Sequence, residues 1–320
     1  MSIPIKHHYV AQHVLRRFCD SDDMLWAYDK EKKQIYRGPT PSQASGKHFY
    51  SIKGVDGKKT AVIELKFLRK IDADGCAAIQ CLLNRETLTT QQAINFMRFA
   101  AAQMIRVESY FQRLDAMLTP LLQESANRMF KYDEEFKKRV TRSLRKKGIP
   151  QQKIEAVMAS LSQGKTKVVA NRGFIVSTFL RHLDSITREF CQMQWSFFRT
   201  DSATEVFVLS DNPLVLTDVG EGPAQPLGIK NPNIEITMPL SPTMVALARW
   251  GGPYGYGIIN NDYISIVNRR TIEQAHRFVY ASYQSEELLQ EVVASQGKQA
   301  RVRVKKIKQG KATVIMNILS

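Results

Sequence analysis

The sequence predicts an α+β protein, in which an antiparallel or mixed sheet combines both ends of the chain around a large helical middle. Strand-like runs bounded by turn residues fill 1–60 and 195–320, whereas apolar residues recur at three- and four-residue spacings through 61–194. No internal repeat and no long linker separates these parts. We therefore expect a single domain over 1–320, whose β-rich part consists of 1–60 and 195–320 packed together.

The strands are predicted from alternating or apolar runs that end at Gly, Pro, Asn or Asp. A first hairpin is expected before the breaker Gly38-Pro39-Thr40-Pro41, and a closing hairpin around Gln309-Gly310. The predicted strands are 24–29, 34–37, 195–199, 205–209, 214–217, 233–238, 244–249, 301–308 and 312–318.

The helices are predicted from apolar side chains that share one face. The run from 62 to 83 fits one helix, or two helices interrupted at Asp74-Gly75. Thr89 and Gln92 have the spacing of a capping box, and Pro120 is expected to end the helix that follows. Later helices are expected at 174–193, 270–280 and 285–294.

The segment 121–172 is predicted to be a basic helical arm with a turn at Gly148-Ile149-Pro150. It carries thirteen Lys and Arg residues between 128 and 172 and few large apolar ones. Lys137, Lys138 and Arg142 are therefore candidate contacts to nucleic-acid phosphates. The plain alternative is a solvated charged face.

The whole chain is strongly basic, with 46 Lys and Arg against 30 Asp and Glu and a formal net charge of +16. This excess favours a polyanionic partner, with RNA or DNA before an anionic membrane, and leaves a merely solvated basic surface as the alternative. The apolar runs are too short to cross a membrane and the N-terminus lacks a signal peptide, so we expect a cytoplasmic protein without a membrane partner.

Several enzyme classes lose support because their motifs are absent. The sequence has no GxxxxGK[ST], GxGxxG, HExxH or GxSxG motif, and no CxxC pair among its four cysteines. ATPases, dinucleotide-dependent dehydrogenases, zinc proteases and α/β-hydrolases are therefore not favoured.

The N-terminal block resembles the signature of the domain of unknown function 4238 family, HHYVPQ followed by LRxF. It reads His7-His8-Tyr9-Val10-Ala11-Gln12-His13-Val14-Leu15-Arg16-Arg17-Phe18, with Ala11 where the family usually has Pro. Four further segments are similar to recurring blocks of the family: His48-Phe49-Tyr50, Gln103 with Arg106, Ser210-Asp211-Asn212-Pro213, and Met238-Pro239-Leu240-Ser241-Pro242.

The resemblance implies a fold and a set of positions, but no reaction. Family members look like bacterial cytoplasmic proteins, some of them in mobile or phage-defence gene neighbourhoods. The bacterial and phage-defence settings are therefore expectations from the resemblance alone.

The N-terminal block concentrates groups that transfer protons or bind anions. Imidazoles titrate near neutral pH, so His7 and His8 are candidate acid and base, and Arg16 is a candidate phosphate contact beside Tyr9 and Gln12. Adjacent histidines on a strand face opposite sides, which disfavours a shared metal ion. A divalent metal ion held with Asp211 nevertheless stays open as a cofactor, and so does a structural role for the whole block.

Two further segments supply candidate site residues. Asp211 and Asn212 follow an apolar run and could act as base, metal ligand or substrate donor, or form a turn that bonds its own backbone. Gln103 and Arg106 share one helix face as candidate substrate contacts. An inward Arg106 needs an anion, either Asp211 or a substrate phosphate, and a structural ion pair is the favoured role.

Two functions follow from these candidates. The first is a nucleic-acid-binding nuclease in a bacterial defence or toxin context, with His7, His8, Asp211 and Asn212 in catalysis. The alternative is a non-catalytic module that binds nucleic acid or a protein, with the N-terminal block as a structural latch. Convergence of His8, Arg106 and Asp211 in an open cleft would favour catalysis, and a dry, mutually satisfied arrangement would favour the latch.

Overall fold

The computed structural model describes residues 6–47, 52–53, 59–60, 67–165, 172–202, 205–221, 227–298, 302–309 and 312–319. The predicted α+β class with a helical middle is confirmed. The chain forms two compact units. Unit 1 comprises Met1–Phe111, Val176–Arg301 and Leu319–Ser320, and unit 2 comprises Gln112–Ile175 and Val302–Ile318. The predicted single domain over 1–320 stays a prediction.

Fifteen strands and nine helices lie in the part of the chain that the structure describes. The strands are β1 (Lys6–His8), β2 (Met24–Asp29), β3 (Gln34–Pro39), β4 (Ser45–Lys47), β5 (Ile52–Lys53), β6 (Lys59–Thr60), β7 (Gln194–Arg199), β8 (Leu209–Ser210), β9 (Val215–Asp218), β10 (Ile234–Ser241), β11 (Met244–Arg249), β12 (Gly255–Ile258), β13 (Phe278–Ala281), β14 (Val302–Gln309) and β15 (Ala312–Leu319). The helices are α1 (Gln12–Arg17), α2 (Arg69–Leu83), α3 (Thr90–Ile105), α4 (Glu108–Tyr132), α5 (Glu134–Lys146), α6 (Gln151–Ser162), α7 (Arg172–Phe190), α8 (Asn261–Gln274) and α9 (Glu286–Ala294).

Two sheets contain most of the described strands of unit 1. One has the order β12-β7-β11-β10-β9, with β12 parallel to β7 and the other pairs antiparallel. The other has the order β3-β2-β13-β8, so strands from the start of the chain lie directly beside a C-terminal strand. The prediction that N-terminal and C-terminal segments contribute strands to one sheet is therefore confirmed.

Helices cover both faces of the five-stranded sheet. Val245 of β11 packs against Ile264 and Val267 of α8 on one face. On the other face the Phe96 ring of α3 lies edge to face with the rings of Trp195 and Phe197, at 5.3 and 5.5 Å. Burial on both faces explains why β10 and β11 read as apolar runs with little alternation.

Local signals placed several elements correctly. Thr89 caps α3, with its hydroxyl accepting from the Gln92 backbone N–H at 3.3 Å while the Gln92 side chain accepts from Thr89 N at 2.8 Å. The predicted strand 244–249 coincides with β11, and the closing hairpin is present as β14 paired with β15. The predicted strand 205–209 is reduced to the two residues of β8, and β12 was missed because glycine is a poor strand former.

The expectation that Pro120 ends a helix is wrong. α3 ends at Ile105, and α4 then continues through Pro120 to Tyr132. A proline inside a helix removes one backbone donor, and the hydrogen bonds on either side of it suffice to continue this helix.

The predicted helix 270–280 is also misplaced. α8 begins nine residues earlier, at Asn261, where the Asn260 side chain accepts from Tyr263 N at 3.1 Å. Phe278–Ala281 instead forms β13, which pairs with β2 on one side and β8 on the other. Pairing with two strands that are distant in sequence overrides the local helical pattern.

Gly75 allows two helices to pack closely and does not interrupt α2. α2 runs unbroken from Arg69 to Leu83, and a Cβ at Gly75 would come within 2.4 to 2.6 Å of the Phe99 side chain of α3. The glycine therefore lets α2 and α3 approach closely.

We expect Gly75→Ala to lower the free energy of unfolding by about 2 kcal/mol, because overpacking outweighs the better helix propensity of alanine. Urea unfolding followed by circular dichroism measures the change. Gly228→Ala, where no atom lies within 4 Å of the added Cβ, is the control and should change stability by less than about 0.5 kcal/mol. Equal effects of the two substitutions would contradict this account of Gly75.

Candidate functional site

The two adjacent histidines face opposite sides of β1. His7 pairs with Gly46 of β4 and its side chain is fully buried, whereas His8 is half-buried. This separation follows from the two-residue period of a strand. The structure therefore does not present His7 and His8 together to a substrate.

His8, Gln12 and Arg16 form a row at the start of α1. Gln12 Nε2 lies 3.0 Å from His8 Nε2, and Arg16 Nη2 donates to Gln12 Oε1 at 3.4 Å. Gln12 and Arg16 lie one helical turn apart on α1, whereas His8 is the last residue of β1. Of the predicted N-terminal site residues, Arg16 is exposed and His8, Tyr9 and Gln12 are half-buried, whereas His7 is buried.

Arg106 forms a buried ion pair, which is the structural role that the sequence favoured for this residue. Its side chain has no exposed area, and Nη1 forms an ion pair with Asp72 Oδ1 at 2.8 Å. Arg106 Nε donates to Tyr9 O at 3.1 Å. When the Gln103 amide oxygen is turned toward the guanidinium, Nε also donates to this oxygen at 2.8 Å. The anion partner is thus Asp72 of α2, and neither of the two predicted partners, Asp211 and a phosphate, is needed.

His13 is held neutral within the same block. Its ring lies 5.0 Å from that of Phe99, and Arg17 Nη1 lies 2.9 Å from its Nδ1. Burial, and then the charges of Arg17, Arg106 and Arg16, lower the pKa of His13 to about 3. A histidine with this pKa is not an acid or base for chemistry near pH 7.

Asp211 caps a turn of the backbone. The buried carboxylate accepts hydrogen bonds from the backbone N–H groups of His276, Arg277 and Phe278 at 2.7, 2.8 and 2.9 Å. Burial raises the pKa of the Asp211 carboxyl, and these N–H donors act in the opposite direction. The carboxylate oxygens are used by the backbone that joins α8 to β13.

Asn212 and Ser210 complete the same turn. The Asn212 side chain donates from Nδ2 to Gln274 O at 3.1 Å, and the Ser210 hydroxyl accepts from Asn212 N at 3.2 Å. Both residues are buried. The predicted self-bonded turn is therefore present only at Ser210, whereas the Asp211 and Asn212 side chains bond the distant backbone of 274–278.

Lys30 lies at the same junction and was not singled out in the sequence. Its side chain is 2 % exposed, and Nζ donates to Ile272 O at 2.8 Å and Ala275 O at 3.0 Å at the end of α8. Burial lowers the pKa of Lys30 to about 8, and the negative charge of Asp211 counteracts part of this shift. No local pattern marks a lysine that closes a helix more than two hundred residues away.

The N-terminal block and the Asp211 turn meet in the interior of unit 1. Burial, and then the charge of Asp211, raise the pKa of the Tyr9 phenol. Tyr280 of β13 is fully buried, and burial, followed by the charges of Tyr9 and Asp211, raises the pKa of its phenol. Tyr9, Arg106 and Asp211 therefore belong to one region that is largely closed to solvent.

The predicted basic arm is a helical hairpin in unit 2. The rings of Phe130 and Phe136 lie edge to face at 5.1 Å, and Ile154 of α6 is buried, so the apolar side chains lie between the helices. Lys137 and Lys138 pair with Glu134 and Glu135 at 2.5 and 2.9 Å.

Most cations of this hairpin lack an acidic partner. Thirteen Lys and Arg stand against four Asp and Glu between 128 and 172. The following exposed side chains form no ion pair with any residue that the structure describes: Arg139, Arg142, Arg145, Lys146, Lys147 and Lys153.

A family model described as "Protein of unknown function (DUF4238)" matches residues 6–285. The chain belongs to this family. No curated protein and no solved structure matches the chain significantly. Of the family blocks recognised in the sequence, the structure brings the N-terminal block, the Gln103 and Arg106 helix and the Asp211 turn into unit 1. The block His48-Phe49-Tyr50 lies outside the described residues.

The described ranges of this family member contain neither a candidate metal site nor a candidate membrane span. No three His, Cys, Asp or Glu side chains there lie close enough together to hold a metal ion. No helix there is both long enough and apolar enough to cross a membrane.

Proposed function

We propose that the chain is a nucleic-acid-binding protein, in which the N-terminal block is a structural latch and the α5–α6 hairpin holds the phosphates. The observation that carries the proposal is the row Arg139, Arg142 and Lys146 along α5, which is exposed and has no acidic partner among the described residues. Residues at these spacings share one helix face. Cations of this kind neutralise backbone phosphates and release counterions whatever the base sequence.

The latch part of the proposal rests on where the predicted catalytic groups lie. Asp211 has its carboxylate oxygens bonded to backbone N–H groups, and His7 is fully buried. Arg106 is paired with Asp72 and bonded to the backbone of Tyr9. Mutually satisfied groups in a closed interior favour the latch over catalysis.

The cellular setting belongs to the same proposal. The cysteines of the chain are free thiols, which fits the reducing cytoplasm. We include a role in bacterial phage defence in the proposal. Such a role would supply a target for a protein that binds nucleic acid of any sequence.

Neutralising the α5 row is expected to weaken binding of labelled RNA and DNA by at least about tenfold near 0.1 M salt. The variant is Arg139→Gln with Arg142→Gln and Lys146→Gln, and the slope of log K against log salt should fall by about 2 to 3. Fluorescence anisotropy over a salt series measures both quantities.

The matched control is Lys33→Gln with Arg69→Gln and Lys70→Gln. These three side chains are exposed cations of unit 1, and replacing them removes the same net charge. It should retain most of the affinity. Equal losses in both triple variants, or no binding by the wild type, would reject the hairpin as the binding surface. The labelled strands are also incubated with the protein in the presence of Mg²⁺, Mn²⁺ or EDTA. Cleavage by the wild type that disappears in His8→Ala would instead support the nuclease hypothesis.

A further inference from the structure

A groove of about 420 Å³ lies in unit 1 beside the N-terminus of α8. Its apolar lining includes Phe198, Leu247, Ile258 and Ile259, and its polar lining includes Arg249 and Tyr263. Sites for small organic ligands have volumes of roughly 300 to 1,000 Å³, mostly apolar walls and a few polar groups. The groove fits this description, and no residue of the candidate site above lines it.

Gly257 of β12 leaves room for the Phe198 ring that lines the groove. Gly255 and Gly257 are in register with Ser196 and Phe198 of β7, so all four residues are on the sheet face that carries the groove. A Cβ at Gly257 would come within 2.8 Å of the Phe198 ring. With any larger residue the Phe198 ring, which forms part of the floor, would have to move.

A buried carboxylate fixes the polar end of the groove. Glu235 of β10 is fully buried, and its Oε2 accepts from Arg249 Nε at 2.5 Å and from Arg249 Nη2. Glu235 Oε1 accepts from the Tyr263 hydroxyl at 2.7 Å and from Arg270 Nη1. Mainly through burial, the pKa of Tyr263 rises to about 12, so the phenol stays a proton donor.

This arrangement leaves one positive charge uncompensated. Two guanidinium groups share the single negative charge of Glu235. The Arg249 side chain is 39 % exposed, and its Nη1 makes no hydrogen bond to any described residue. Because Glu235 already fixes the guanidinium plane, Nη1 and the second proton of Nη2 are preorganised donors for a second carboxylate.

We propose that the groove binds a small aromatic carboxylate, with its carboxylate on Arg249 and its ring on the apolar wall of Phe198, Leu247 and Ile258. The free guanidinium charge selects an anion over a neutral ligand. The apolar wall selects an aromatic body over a hydrated anion such as phosphate, because a phosphate would gain nothing from these side chains.

The probe is 2-naphthoate, with its neutral amide as the uncharged analogue, titrated into the full chain by isothermal calorimetry. Naphthoate should bind saturably, at least tenfold more tightly than the amide. Arg249→Gln should lose at least tenfold in affinity for naphthoate but little for the amide. Ile258→Ser, at a side chain that is 65 % exposed and outside the ionic network, should lose about threefold for both ligands because only apolar contact is removed.

Arg269→Gln is the matched control, since it removes one exposed positive charge from the same helix as Tyr263. It should bind naphthoate as the wild type does, and so should the triple variant of α5, which separates this site from the proposed nucleic-acid surface. Equal affinities for naphthoate and its amide, no saturable binding at millimolar naphthoate, or equal losses in Arg249→Gln and Arg269→Gln would overturn the assignment.

Discussion

Asp211→Ala is expected to lower the free energy of unfolding by about 4 kcal/mol, the largest effect of any single substitution proposed for this protein. The change leaves three backbone N–H groups, those of His276, Arg277 and Phe278, without their acceptor in a dry interior. It also removes the carboxylate whose negative charge favours protonated Lys30. A buried cation that has lost part of its counter-charge adds to the cost of the orphaned donors.

Urea unfolding at pH 7 measures this loss, and Asp201→Ala at an exposed loop position is the control. The control should cost less than about 0.5 kcal/mol. Lys30→Met in the Asp211→Ala background should recover part of the loss, because it removes the buried cation. A fully folded Asp211→Ala with wild-type stability would show that Asp211 is not structural, and the catalytic hypothesis for this carboxylate would then regain support.

Acid is expected to destabilise the protein specifically through His13. The folded state holds the pKa of His13 near 3, whereas an unfolded chain protonates histidine near pH 6.5. Between these values the unfolded state binds more protons, so the contribution is intact above pH 6.5 and is lost as the pH falls toward 3. From pH 7 to pH 4.5 the loss amounts to roughly 2.5 kcal/mol.

The measurement compares wild type with His13→Asn by urea unfolding at several pH values in this range. Titrations of all other groups are common to both proteins, so the difference between their unfolding free energies isolates His13. This difference should shrink by about 2 to 3 kcal/mol on going from pH 7 to pH 4.5. A difference that stays constant to within about 0.5 kcal/mol would mean that His13 is not buried as a neutral ring.

Both predictions concern residues of the N-terminal and Asp211 blocks, which lie within the range 6–285 that the family model matches. In the structure Arg106 binds Asp72 and the backbone of Tyr9, and Asp211 binds backbone N–H groups. The blocks therefore join segments that lie far apart in sequence. Their chemistry resembles that of an active site because buried polar groups also need hydrogen bonds and counter-charges.

The sequence by itself determined the features that depend on neighbouring residues. The Thr89 and Gln92 cap, the strand 244–249, the closing hairpin and the charge of the α5–α6 hairpin all follow from spacings of a few residues. Capping, alternation and turn formation are local interactions, so a short stretch of chain carries the whole signal.

Only the tertiary structure decided which distant groups meet. It placed Asp72 against Arg106, Lys30 at the end of α8, and Phe99 over Gly75. It also changed the predicted helix 270–280 into β13, because two strands from elsewhere in the chain supply its hydrogen bonds. Such partners are separated by tens to hundreds of residues, and their free energy arises from burial and pairing that no local pattern encodes.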